Sequence, residues 1–185
     1  MNKIIMIIMA FMTLSGMKAK SQNAVNSPAQ QSTTAQQVNT AAQQKQEAAK
    51  TAVLIQYFAI RNSLVASDSI KTGKDAAAFI LVLDKFKFKK LSLQEMNEST
   101  GLRAEIRKLA VEMSGTSNIN AQRKNFLAIS EKMWVIAKSL KPQGQVLYQQ
   151  VCPMTGATWL SKDKEIKNPY YPKNMLTCGE IKQSI

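Results

Sequence analysis

The chain has 185 residues, with 25 Lys and Arg against 12 Asp and Glu, a formal net charge of +13 and no histidine. That length suits one ordinary domain with a single core. The missing imidazole removes the usual proton shuttle, the commonest metal ligand and every nucleophile arrangement of the Ser-His-Asp or Cys-His kind.

A cationic head, Met1-Asn2-Lys3, precedes an apolar run from Ile4 to Leu14. The run is shorter than the roughly 20 residues that a membrane-spanning helix needs. It reads as the core of a signal peptide over residues 1–21, with Ala19 and Ser21 fitting the small-residue cleavage rule and Gln22 as the first mature residue. No cysteine follows the core, so lipid anchoring is not expected. Taking Lys3, Lys18 and Lys20 from the 25 basic residues leaves 22 against 12 acidic ones, a net charge of +10. The expected location is periplasmic or secreted, which makes nucleic acid an improbable partner. No later apolar run predicts a transmembrane segment, and the oligomeric state is not legible. A basic surface of this size suits anionic lipid or polysaccharide, or serves solubility alone.

Residues 22–47 are mostly Gln, Ala, Ser, Thr and Asn, with too little apolar surface to offset the entropy of ordering. They read as a disordered linker whose Ala-rich end frays into a first helix. A helical domain follows over residues 48–185, as a bundle over 48–141 and a tail over 142–185. Leu54, Tyr57 with Phe58, Arg61, and Leu64 with Val65 recur at spacings of three and four, the pattern of one helix face. Ser67-Asp68-Ser69 breaks it. Thr72 with Asp75 resembles a capping box for a second helix carrying Ala76, Phe79, Ile80, Leu83 and Phe86. Ser92 with Glu95 is another such box, opening a third helix through Leu102, Ile106, Leu109 and Met113, with Gly101 as a weak point. The fourth carries Phe126, Ile129, Met133, Ile136 and Leu140 until Lys141-Pro142 stops it. The expected fold class is therefore all-α, an antiparallel four-helix bundle with a short C-terminal loop and β segment.

Few residues carry chemistry. Glu105, Glu112 and Glu131 fall beside Lys or Arg on helices, as on solvated faces, so no enzyme activity is expected. Lys85-Phe86-Lys87-Phe88-Lys89-Lys90 sets aromatics between cations, a pattern that can stack bases or lie on acidic membrane. At a helix end the simpler reading is lysines favouring the negative end of the dipole while both phenylalanines enter the core.

The remaining constellation is Cys152-Pro153-Met154 and Met175-Leu176-Thr177-Cys178-Gly179. Two thiolates and two thioethers are soft donors suited to copper(I) or silver(I) without any imidazole. Zinc favours four Cys or His donors and fits less well. Trp159 in the same segment can shield such an ion or simply anchor the tail. The competing reading is a disulfide between Cys152 and Cys178, closing a loop of about 25 residues and contributing on the order of 3 kcal/mol. An even cysteine count in an exported chain is the usual setting for such a staple.

The stretches Ala59 to Asp68, Gln122 to Ser130, Cys152-Pro153-Met154, and Asn168-Pro169-Tyr170-Tyr171 through Met175-Leu176-Thr177-Cys178-Gly179 together resemble a domain of unknown function. That domain is found as stand-alone exported proteins and at the C-terminus of periplasmic adaptor (membrane-fusion) subunits of copper/silver-type heavy-metal efflux systems. The resemblance runs in order from about Ala52 to the C-terminus. It implies an envelope domain associated with copper or silver handling, with components of a heavy-metal efflux system as partners and no established reaction. Cys152, Met154, Met175 and Cys178 carry over individually as metal-site candidates. This chain departs from the pattern in having Ala121 and Val151 where relatives often have histidine.

Overall fold

In the computed structural model residues 28–185 are described, with side-chain surroundings given from Thr40 onward. The signal peptide expected at 1–21, and residues 22–27 of the expected linker, lie outside the described residues. The described part holds four long helices, α1 (Pro28–Val65), α2 (Ser69–Lys85), α3 (Leu93–Ser114) and α4 (Ile119–Val135), then a single turn α5 (Ala137–Leu140). Strands β1 (Tyr148–Val151), β2 (Thr158–Ser161) and β3 (Glu180–Ser184) complete the chain.

The first helix begins well before the expected position. Residues 28–47, read as a disordered linker, belong to α1, whose first residue is Pro28. Proline is at home at that position, since its fixed φ suits the helix and its missing N–H would have no partner there. Alanine and glutamine are also good helix formers, so this stretch has local propensity despite having little to bury. Residues Val38–Ile185 form one compact unit.

Within that unit the helical spacings lead to the core. Leu54, Tyr57, Ile60 and Leu64 from α1, Phe79 and Leu83 from α2, Ile106 and Met113 from α3, and Phe126, Ile129 and Met133 from α4 are all buried. The expected cap of α3 is present: Ser92 accepts the Glu95 N–H while Glu95 accepts the Ser92 N–H. That of α2 is displaced. Asp68 is its N-cap, accepting the Lys71 N–H at 2.8 Å. Thr72 instead donates to the Asp68 carbonyl, and Asp75 accepts the Ser63 hydroxyl and Lys71. The sequence Asp68-x-x-Lys71 lacks the reciprocal acid of a box, which is why Thr72 with Asp75 looked the better start.

The fourth helix is interrupted. Ile136 takes φ −90° and ψ 4°, so α4 stops at Val135 and α5 follows, with Ile136, Ala137 and Leu140 all buried. Apolar spacing reports which residues face the core, and it persists here because the break leaves that face intact. At the end of α2 the backbone turns extended at Phe86, so Phe86 and Phe88 both point inward while Lys85, Lys87, Lys89 and Lys90 stay exposed. Their rings meet edge to face at 5.1 Å.

The tail, expected as loop and short β segment, holds a small sheet. Its three strands form an antiparallel sheet in the order β2-β1-β3. Tyr148 pairs with Ser161 and Val151 with Thr158 on one side, while Val151 pairs with Glu180 on the other, with a register irregularity at Gln149/Gln150. Strand β2 is wholly buried and would leave an unpaired edge. Two tyrosine hydroxyls close it. Tyr57 accepts the Leu160 N–H at 3.0 Å, and Tyr170 donates to the Thr158 carbonyl at 2.6 Å. Ser130 on α4 lies 2.7 Å from the Tyr57 hydroxyl, and burial pushes the Tyr57 pKa up to about 12.

Replacing Tyr57 with Phe strands the buried Leu160 N–H while keeping the ring. The expected cost is about 1–3 kcal/mol, read as a lower urea midpoint with an unchanged slope.

Candidate functional site

The β1·β3 register decides where the cysteines meet. With Val151 opposite Glu180, the next step past the ladder sets Cys152 across from Gly179, and Cys178 comes beside it. The two Sγ atoms are 3.6 Å apart, neither in a disulfide. Cys152 is fully buried and Cys178 half-buried.

Each sulfur is held by its own turn. Cys152 opens the hairpin between β1 and β2, where its carbonyl accepts the Thr155 and Gly156 N–H groups at 3.2 and 2.8 Å and its N–H donates to the Ala157 carbonyl at 2.9 Å. Gly156 sits at φ +72°, a left-handed conformation that glycine adopts freely. Cys178 is fixed from two sides. Its N–H donates to the Met175 carbonyl at 3.1 Å, and its own carbonyl accepts from the Asn168 side chain at 3.2 Å. The same Asn168 amide oxygen accepts the N–H groups of Tyr170 and Tyr171. Trp159, on β2, is fully buried, its indole N–H donated to Gln150 at 2.6 Å. It therefore anchors the tail as core. Gly179 packs closely there: a Cβ at that position would be 2.8 Å from Ile166 and 3.0 Å from the Trp159 ring.

The two thiols are not equivalent. Burial works to raise the Cys152 pKa, but hydrogen bonds from the Thr155 hydroxyl, the Cys178 thiol and the Met154 and Thr155 backbone N–H groups outweigh it, holding this thiol below its ordinary value. Cys178, as donor to Cys152, is raised, with burial and the neighbouring thiolate acting the same way. Of the two, Cys152 is therefore the thiol favoured as thiolate.

Of the four sulfur residues read from the sequence, the fold brings the two cysteines together. Met154 is 73% exposed on the hairpin loop, and Met175 is half-buried in the turn that leads to Cys178. Among the described residues no group of three or more Cys, Asp or Glu side chains gathers in a metal-binding arrangement. The sulfur separation is itself informative. On an ion about 2.3 Å from each sulfur, two thiolates lie about 3.8 Å apart in a tetrahedral arrangement and about 4.6 Å apart in a linear one. At 3.6 Å the two sulfurs are in hydrogen-bond contact. A disulfide requires the sulfurs to close to about 2.05 Å.

Thr155 and Asn168 are the residues that sequence reasoning missed. Thr155 is three residues past Cys152 in a Cys-Pro turn, where its hydroxyl and N–H can reach back to the sulfur. Asn168 before Pro169 is a turn-forming residue, but its reach to Cys178 depends on the fold.

A family model described as "Protein of unknown function (DUF3347)" matches residues 53–145. The matched stretch runs from within α1 to just before β1, so the cysteine-bearing sheet follows it. No curated protein and no solved structure matches the chain.

Thiolate absorbance followed against pH should show the first ionisation below that of an ordinary cysteine. Changing Cys178 to Ala, or Thr155 to Ala, removes a donor to the Cys152 sulfur and should move that midpoint upward. A downward move would contradict the assignment.

Proposed function

The chain belongs to the DUF3347 family of proteins of unknown function, and on that premise we propose that it is an exported, non-enzymatic domain that binds a soft heavy-metal ion of the copper(I) or silver(I) kind. The observation that carries this reading is the Cys152 and Cys178 pair at 3.6 Å, with Cys152 the readier of the two to ionise. Thiolate sulfur suits soft monovalent ions, and N–H groups directed at a thiolate are the outer-shell support that stabilises such ligands. The thiols supply two donors. Met175, in the turn that leads to Cys178, and the exposed Met154 are the thioether donors of this reading. The domain, an antiparallel helical bundle with a sulfur-bearing sheet, then acts as an accessory to metal efflux or homeostasis in the periplasm or outside the cell. Its partners are components of a heavy-metal efflux system, and a signal peptide over residues 1–21 is removed on export.

A second reading rests on the same distance. Sulfurs this close in a hydrogen-bonded turn can close as a Cys152 to Cys178 disulfide, which would tie β3 to β1 in a structural or protein-interaction domain. Redox state divides the two.

Free thiols and bound metal should be counted on one sample of the mature protein from its own compartment. The metal reading expects two free thiols and near-stoichiometric copper(I), taken up directly or after mild reduction and lost in Cys152→Ser. No thiols, no metal and no uptake after reduction would overturn it in favour of the staple.

A further inference from the structure

An open cavity of about 810 Å³ lies between α1 and the segment after β2, on residues separate from the cysteine pair. Its far wall, residues 162–167, is held in place by the buried Gln150 amide, which donates to the carbonyls of Asp163 and Glu165 at 3.0 and 3.1 Å. The near wall is apolar, with Leu54, Phe58 and Val65 beside Ile55, a large aliphatic side chain left 56% exposed. Arg61 also lines it. The volume is that of a small-molecule site.

Arg61 is the unusual group. It is 6% exposed, yet all its hydrogen-bond partners are neutral: Nη1 donates to Ser161 Oγ at 2.9 Å, while Nε and Nη2 donate to Asn62 Oδ1 at 3.3 and 3.1 Å. Its guanidinium lies 5.4 Å from the Phe58 ring centre. Among the described residues no carboxylate is within ion-pair distance of it. Asp163 and Glu165 act on it only from farther away, and Glu165 is paired with Lys167 at 2.9 Å. A buried charge without a direct counterion is expensive. Ser161 and Asn62 satisfy these donors without neutralising the charge. A guanidinium carries five N–H donors, of which three are used here. The exposed Lys162 adds a second cation at the rim.

We propose that this cavity binds an amphipathic anion, its carboxylate or similar oxyanion head on Arg61 and Lys162 and its short acyl chain along Ile55, Val65 and Phe58. Carboxylates match the planar guanidinium fork, and charge-assisted pairs of that kind are among the stronger hydrogen bonds. The headgroup can come from a free fatty acid or from an anionic lipid of the envelope, and the chemistry recognised is the same.

Calorimetric titration of the full mature chain with decanoate and with decanol tests this. Decanoate should bind saturably, and decanol at least about tenfold more weakly, the loss expected when a charge-assisted pair is removed. Asn62→Asp places a carboxylate against Arg61 and should abolish decanoate binding while leaving the melting temperature unchanged or higher. Ile55→Glu, at an exposed position, should also abolish binding in a folded protein. Equal binding of decanoate and decanol, no binding of decanoate, or wild-type binding by either folded variant would overturn the proposal. Flotation with phosphatidylglycerol against phosphatidylcholine vesicles identifies the source. Binding to the anionic vesicles that is lost in both variants assigns a lipid headgroup, and decanoate binding without vesicle binding assigns a free acid.

Discussion

The helices and the sheet are joined through a small set of hydroxyl groups buried at their interface. Tyr57 from α1 and Tyr170 from the tail reach the outer edge of β2, and Ser130 from α4 lies between them. Each bond is modest in net terms, but leaving any partner unmatched in the core costs more than forming the bond gains. The arrangement is therefore close to all or none. The rings are packed as well, Tyr57 on Phe126 at 5.1 Å and Tyr170 against Trp159 at 6.0 Å. Polar matching fixes the register of the sheet against the helices, and aromatic burial supplies most of the driving force.

The sulfur pair depends on that register. Were β1 to slip by one residue against β3, Cys152 would turn to the opposite face. The slip is opposed by β2, whose edge is bound to the two tyrosines, and by Gln150, whose amide grips both Trp159 and the segment 163–165. Arg123 contributes from the helical side. It holds Ser67, a non-glycine residue at φ 57° that closes α1, and also the Pro169 carbonyl just after Asn168. One arginine thus links the end of the first helix to the turn that carries the second cysteine.

Much of the helical fold was legible because burial and spacing are the same fact seen twice. Leu54, Tyr57, Phe79, Ile106, Phe126 and Met133 stood out by period and are buried. Local signals worked where both halves were local, as with Ser92 and Glu95. They misled where tertiary partners competed: Asp75 is occupied by Ser63 and Lys71, which leaves Asp68 to cap α2. The break at Ile136 left no trace in the pattern, because both sides of it face the core. In the tail, the cysteines were recognisable by type, but their approach follows from a β1·β3 pairing between residues about 30 apart in sequence, and β3 has no apolar alternation to reveal it. Arg61 was placed on the first helix face without any sign that its charge would be enclosed.

Strand β3 has a dynamic consequence for the sulfurs. All five of its residues are exposed, and it is an outer strand of the sheet. Little apolar area holds it, so fraying of this strand belongs to the low-energy end of local opening, far below global unfolding. Cys178 lies just before it, and the β1 edge it covers ends at Val151, next to Cys152. Opening of β3 therefore uncovers the buried sulfur of Cys152 to a reductant, an oxidant or an ion while the helices stay intact.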